Sequence, residues 1–275
     1  MINPFARQED DPQKWWASPH SPEDAKRVVE RDLAWIKESD AVFAYVPEAK
    51  VCGTAMEIFA AAKLMEKPVF IYTTPQYRFH PWLMYFGQVF TDMEFMFEVL
   101  ELRQNLKNYS FRIAITGRMG TGKSSVADFL VKSFGFRRYS FAAKLKEIAS
   151  DLFGMSTKDR VLLQTLGTKI REMEQDSWAN FVIRQIEVDA PLRAVIDDMR
   201  YVNEAKILKE NRFVLVRLYG DRKGRKIAGL SAETERHPSE METDQIYADC
   251  SLDTSGSLES CYQKVLEYLR TLTKI

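Results

Sequence analysis

The segment Gly117-Arg118-Met119-Gly120-Thr121-Gly122-Lys123-Ser124, followed by Ser125, has residue types that can hold phosphate groups. It matches G-x-x-x-x-G-K-S/T at every fixed position. Glycines let successive backbone N–H groups curl round phosphate oxygens, and a helix that starts there turns the positive end of its dipole toward them. Lys123 can reach β- and γ-phosphates, and the Ser124 hydroxyl can ligate Mg²⁺. A glycine-rich turn that merely opens a helix is the plain alternative. The apolar FRIAIT before the loop and the amphipathic KSSVADFLVKSF after it supply the strand–loop–helix setting and favour binding of ATP or GTP.

Three further clusters could act with this loop. Asp197-Asp198-Met199-Arg200 follows the strand candidate RAVIDD. Carboxylates at the end of a strand beside a phosphate loop can hold Mg²⁺ or its waters, and Arg200 can fork onto a phosphate. The competing assignment makes Asp198 a helix cap and pairs Arg200 with Glu204 at i, i+4. Arg222 and Arg225, in the run Asp221-Arg222-Lys223-Gly224-Arg225-Lys226, suit a mobile lid closing over phosphates, although such runs are commonly a solvated face. Arg236 and His237 could meet an anionic substrate or could form a loop staple with Ser239 and Glu240.

The elements that must position these groups alternate along the chain. Residues 1–107 suggest a helix over 22–38, the strand AVFAYVP, a helix over 54–65, the strand KPVFIY and a helix over 91–106. Residues 108–275 suggest FRIAIT, a helix over 122–134, a short strand near RRYSF, and helices over 141–153, 158–173 and 176–188. RAVIDD, a helix over 202–210, FVLVRLYG, a charged loop over 220–245, IYADCSL and a helix over 257–272 complete that half. This order predicts an α/β fold of two parallel-sheet domains, cut near Asn105, Asn108 and Ser110. The first domain lacks an opening strand, because residues 1–20 offer none.

Composition narrows the class. The 275 residues carry 39 basic and 39 acidic side chains, and 45% are hydrophobic, which excludes a disordered chain. Residues 1–108 hold 12 Lys and Arg against 16 Asp and Glu, so the basic excess lies on the half with the phosphate loop. No extended nucleic-acid surface is indicated. Cys52, Cys250 and Cys261 form neither a disulfide framework nor a zinc spacing. The N-terminus is acidic and proline-broken, and the longest apolar run is too short to span a bilayer. A cytoplasmic protein with no membrane partner is expected.

SFAAKLKE (140–147), LLQTLGTKIRE (162–172), DDMRYVNEAKIL (197–208) and RHPSE (236–240), all downstream of GRMGTGKSS, together resemble bacteriophage-type deoxynucleoside monophosphate kinases over about 111–272. The resemblance implies Mg²⁺-dependent phosphorylation of a dNMP by ATP. It implies that Lys123 and Ser124 serve ATP and Mg²⁺, and that Phe141, Lys144, Gln164, Gly167, Arg171 and Trp178 line the acceptor side. Asp198 and Arg200 would flank the transfer, with Arg222 or Arg225 from the lid. Asp197 stands where that family is expected to carry a small hydroxyl residue, which leaves the metal contact open between the two carboxylates.

Residues 39–73 with His80-Pro81-Trp82 resemble the nucleoside 2-deoxyribosyltransferase-like superfamily, implying a flavodoxin-like domain. The resemblance implies that Asp40 contacts a base and that Glu57 attacks an anomeric carbon. A helix-start acid favoured by the dipole is the alternative for Glu57. The family's first strand and small-residue turn have no counterpart, which implies a partner subunit, hence a homo-oligomer, or a domain that only binds or assembles. The expected function is a dNMP kinase with a nucleotide-binding or assembling N-terminal domain. A nucleotide-gated switch or scaffold, and a kinase for another phosphate acceptor such as dephospho-coenzyme A, are the alternatives.

Overall fold

The computed structural model describes residues 21–48, 52–220 and 241–273. The backbone divides into two compact units, Met1–Glu98 and Val99–Ile275, with the division falling inside the helix Met93–Asn105.

In the first unit three strands, β1 (Val42–Val46), β2 (Val69–Thr73) and β3 (Gln88–Phe90), pair in parallel in that order. Helix α1 (Pro22–Glu38) begins at Ser21, whose hydroxyl accepts the Asp24 N–H at 3.1 Å, and Glu23 and Asp24 favour the first turn through the dipole. Helix α2 (Cys52–Phe59) runs on through Ala60–Leu64 as a π-helical turn, with the Met65 N–H donating to Ala60 O at 3.0 Å. Ile36, Ile58 and Ala61 pack on Ala44, Val46, Val69 and Ile71 of the sheet. Phe70 stacks on Phe90, which meets Phe95 of α4 (Met93–Asn105). The short helix α3 (Pro81–Phe86) and β3 are two elements that hydrophobic patterning does not reveal. Among the described residues the sheet has three strands and begins at Val42; residues 1–20 lie outside them.

The second unit is built on five parallel strands. In chain order they are β4 (Phe111–Thr116), β5 (Arg137–Tyr139), β6 (Arg193–Ile196), β7 (Val214–Tyr219) and β8 (Cys250–Asp253). In space the order is β5-β6-β4-β7-β8. Central β4 pairs with β6 and β7, with Ile113 opposite both Val195 and Val214. Such a sheet is covered on both faces, which explains why Ile113, Ala114, Ile115, Ala194, Val195 and Ile196 read as continuous apolar runs. Helix α5 (Lys123–Phe134) follows β4 and packs on α10 (Leu258–Leu272), where Phe129 stacks on Tyr262 at 4.2 Å. Helices α6 (Phe141–Phe153), α7 (Arg160–Met173) and α8 (Ser177–Asp189) follow β5, and α9 (Val202–Glu210) links β6 to β7. Trp178, Val182, Ile186, Met199, Leu208 and Leu215 share the core beneath α8 and α9.

The chain moves to one side of β4 for β5 and β6 and to the other for β7 and β8. The loops after β4 and β6 therefore part at the carboxyl edge of the sheet. An open α/β sheet forms its ligand crevice at such a switch point.

Candidate functional site

The loop after β4 is held in shape by its own groups. Gly117 has φ +137°, and a Cβ there would lie 2.2 Å from the Leu218 carbonyl oxygen, so only glycine fits. Gly122 begins α5 at φ +90°. Thr121 Oγ1 donates to Arg118 O at 2.9 Å, and the Thr121 carbonyl accepts from Thr254 Oγ1 at 2.8 Å. Lys123 is buried, with Nζ donating to Gly117 O at 2.6 Å and to Arg118 O at 2.8 Å. The ammonium thus sits inside the curl of the loop, where phosphate oxygens would replace carbonyls as its partners. Arg118 grips Asp244 with a fork at 2.6–3.4 Å. The Ser125 carbonyl accepts from Tyr262 Oη at 3.4 Å.

The two carboxylates after β6 have separate jobs. Asp197, 6% exposed, accepts from Ser124 Oγ at 3.0 Å and from Arg138 Nε at 2.9 Å, with Arg138 Nη2 closing the fork. Asp198 turns the other way. Its oxygens accept from Ser140 Oγ at 2.6 Å and from the N–H groups of Phe141 (3.1 Å) and Ala142 (2.9 Å), so it caps the first turn of α6. Burial pushes Asp198 above the usual carboxylate range, the three donors oppose the rise, and the charge of Asp197 adds to it. Asp198, expected on the metal side, has both oxygens on Ser140 and the start of α6, and Asp197 is the carboxylate beside Ser124.

One hydroxyl and one carboxylate are a suitable oxygen pair for Mg²⁺, which keeps several waters and takes the rest of its ligands from substrate phosphates. No cluster of three or more His, Cys, Asp or Glu that could cage a metal occurs among the described residues. The donor set fits an ion that arrives with a nucleotide.

From the loop a crevice of about 390 Å³ runs toward α7 and α8. Met119, Lys123 and Ser124 line one end, and Gln164, Gly167, Arg171 and Trp178 line the other, with Phe141 and Arg200 between. Trp178 Nε1 donates to Gly167 O at 3.4 Å, which anchors the indole against α7. Arg171 stacks over the Tyr201 ring at 4.1 Å and donates to Glu204 Oε1 at 3.3 Å. Glu204 is buried, and burial pushes its carboxyl up to about 7, although the N–H groups of Arg200 (2.9 Å) and Tyr201 (3.2 Å) and the charge of Arg171 oppose this.

Several expectations change here. Lys144 does not line the crevice; it pairs with Glu147 at 2.7 Å and faces the Phe181 ring. The cations that do line it include Lys146, Lys158 and Arg160. Burial lowers the Lys158 pKa, and the charges of Arg160, Lys146 and Arg200 lower it further, so these four cations crowd one region. Sequence patterning does not single out Arg138 and offers Glu204 only as a helical partner of Arg200, whereas Asp197 is one of the two carboxylates it offers to the metal. The double arginine of a short strand, Arg137-Arg138, was the available signal. Arg222, Arg225, Arg236 and His237 lie outside the described residues.

In the first unit a cavity of about 380 Å³ opens beside the end of β1, lined chiefly by Val46, Met56, Phe59, Trp82 and Phe86, with Glu48 and His80 as polar members. Glu57 does not line it. Burial and the charge of Asp32 raise the Glu57 pKa while Arg31 opposes, which places its carboxyl toward α1. Asp40 is exposed and also outside the cavity.

Strand, glycine loop, helix and switch-point crevice define the second unit as an α/β phosphate-loop domain. Comparison with known proteins takes the class one step further. The chain is 26% identical over 188 residues, 56% of its length and 93% of the other protein, to a protein of Acanthamoeba polyphaga mimivirus provisionally named a deoxynucleotide monophosphate kinase. It is 29% identical over 157 residues to the uncharacterised protein ORF76 of Ictalurid herpesvirus 1 (strain Auburn), covering 53% of this chain and 61% of that protein. No family model matches. Solved structures similar to the chain include a gluconokinase from Sinorhizobium meliloti 1021 (TM-score 0.40, 13% identity, 61% of this chain and 95% of that one). Another is TT1252 from Thermus thermophilus (TM-score 0.40, 18% identity, 60% and 98%). The mimivirus relative and the complete phosphate loop together support a kinase domain, a phosphotransferase. No described helix is long and apolar enough to cross a membrane.

Proposed function

We propose that the Val99–Ile275 unit transfers the γ-phosphoryl group of ATP to the 5′-phosphate of a deoxynucleoside monophosphate. The observation that carries this reading is the single crevice that joins Lys123 and Ser124 to Gln164, Arg171 and Trp178. A donor triphosphate on the loop and an acceptor toward Gln164, Arg171 and Trp178 would bring their phosphates together near Arg200. The provisional name of the mimivirus relative agrees with this acceptor class.

Little covalent chemistry is asked of the protein. An acceptor phosphate oxygen attacks the γ-phosphorus, the bond to the β-phosphate oxygen breaks, and ADP and a nucleoside diphosphate leave. The acceptor is already an anion at neutral pH, so no strong base is required. Lys123 and Arg200 supply fixed positive charge around the transferring group, which is where electrostatic stabilisation acts. Mg²⁺ held by Ser124 and Asp197 would neutralise charge on the bridging phosphates. For the first unit, a deoxyribosyltransferase-like domain that binds nucleotide or joins protomers is the reading, without glycosyl transfer, because Glu57 lies away from the cavity.

The test is an acceptor screen. Purified chain with Mg-ATP and each of the four common dNMPs or 5-substituted pyrimidine dNMPs is expected to give ADP and dNDP in equal amounts from at least one. No dNDP from any of them overturns the reading.

A further inference from the structure

Arg138 forms the densest charge contact at the phosphate site. It rises from the edge strand β5, where it stands opposite Val195 of β6, two residues before Asp197. Its guanidinium covers both oxygens of Asp197, Nε on Oδ1 at 2.9 Å and Nη2 on Oδ2, while Nη1 donates to Asp128 of α5 at 2.8 Å. Asp197 Oδ2 also accepts from Ser124 Oγ. That oxygen is therefore shared between the hydroxyl of the phosphate loop and a permanent cation. Burial acts against the charge on Arg138, but the hydrogen bonds and charge of Asp197, with Asp128 and Asp198 behind them, outweigh it and raise its pKa.

We propose that Arg138 is a positioning residue that fixes Asp197 against Ser124 and competes with a divalent cation for the same carboxylate oxygen. Two consequences follow from charge alone. With a guanidinium on both its oxygens, Asp197 attracts a bare cation less than a free carboxylate would, so a metal alone binds weakly. A metal already carried by phosphates brings further oxygen ligands, and Arg138 has a second carboxylate, Asp128, to hold it when Asp197 Oδ2 changes partner. The bidentate fork matters here, because a lysine ammonium in its place could hold only one oxygen at a time. The proposal rests on the nucleotide-binding reading of the loop, and its test is independent of any acceptor.

The experiment measures manganese(II) binding to the full chain without nucleotide, by the loss of the free-ion electron paramagnetic resonance signal. Arg138→Met is expected to bind manganese(II) at least about tenfold more tightly than the unsubstituted chain, and Arg138→Lys is expected to fall between them. The comparison uses Arg138→Met protein that melts cooperatively near the temperature of the unsubstituted chain, so that a gain of affinity separates competition at Asp197 from carboxylates released by a damaged fold. Equal affinity in the unsubstituted chain and in Arg138→Lys, or a weaker site in a folded Arg138→Met, overturns the proposal. A thermal shift with Mg-ADP on the unsubstituted chain tests the nucleotide reading separately; its absence would sink that reading and leave the manganese comparison interpretable.

Discussion

Ser140 donates its hydroxyl to the Asp198 carboxylate across 2.6 Å, and the same carboxylate takes the first two N–H groups of α6. Neighbouring acids are thereby divided between architecture and chemistry. Asp198→Ala would leave a half-buried hydroxyl and two helix-start N–H groups without this partner, at a cost of about 3 kcal/mol. Asp197→Asn keeps the shape of the side chain and removes the charge beside Ser124. Urea denaturation should show the larger loss for Asp198→Ala. Mg²⁺-dependent nucleotide binding should show the larger loss for Asp197→Asn in protein that remains folded. The reverse ranking would return the metal side to Asp198.

Lys123 holds the loop by two carbonyl contacts, at 2.6 and 2.8 Å. Lys123→Met loses those bonds, about 1 kcal/mol net for each, yet keeps most of the buried stem. Transfer should fall by about a thousandfold, the order seen when one preorganised charge donor is removed. The melting temperature without nucleotide should move by only a few degrees, while the stabilisation by Mg-ATP disappears. Turnover close to that of the unsubstituted chain would remove Lys123 from the chemistry.

Gly117 ties the loop to β7, since a Cβ there would sit 2.2 Å from Leu218 O on a backbone with φ +137°. Neither the backbone of a central strand nor that conformation can yield cheaply. Gly117→Ala should cost about 3 kcal/mol or more. The loss should appear in thermal melting of the protein without ligand, and nucleotide binding should weaken in parallel. A melting temperature unchanged by Gly117→Ala would show that β7 and the loop approach each other less closely than this.

What the sequence made legible depended on how locally each feature is encoded. The phosphate loop has all its chemistry in consecutive residues, so residue types alone described it. Helices α1, α7 and α10 announced themselves by periodicity, and the structure adds the side-chain caps Ser21, Asp159 and Ser257 that start them. In contrast, α3 and β3 lie in the nearly unbroken apolar stretch PWLMYFGQVF, where no period distinguishes helix from strand. Their border is set by tertiary contact, with Gly87 pressed against Ile71.

The pairs that shape the site are encoded across distance. Arg138 meets Asp197 only because β5 and β6 lie side by side, and Arg171 meets Glu204 because α7 and α9 flank one crevice. No local rule joins such residues. Lys144 and Lys146 show the same limit on a smaller scale. Two positions apart on a helix means about 200° of rotation, so one lines the crevice and the other cannot. Which face was inward depended on α8, whose Phe181 takes Lys144.

Glu204 supplies a pH prediction with a definite sign. Burial raises its pKa from 4.5 to about 7 in the folded chain. The folded state thus binds more protons than the unfolded one between those values, and stability falls as pH rises through that window. Asp198, raised in the same direction, adds to the fall. Glu204→Gln removes one titrating group while keeping an oxygen for the N–H groups of Arg200 and Tyr201. The melting temperature of Glu204→Gln minus that of the unsubstituted chain should therefore increase from pH 5 to pH 8, and level off above that. A difference that is flat across the window, or that shrinks, would mean that Arg171 already keeps Glu204 ionised throughout, and that the pair is a permanent salt bridge at the end of the crevice.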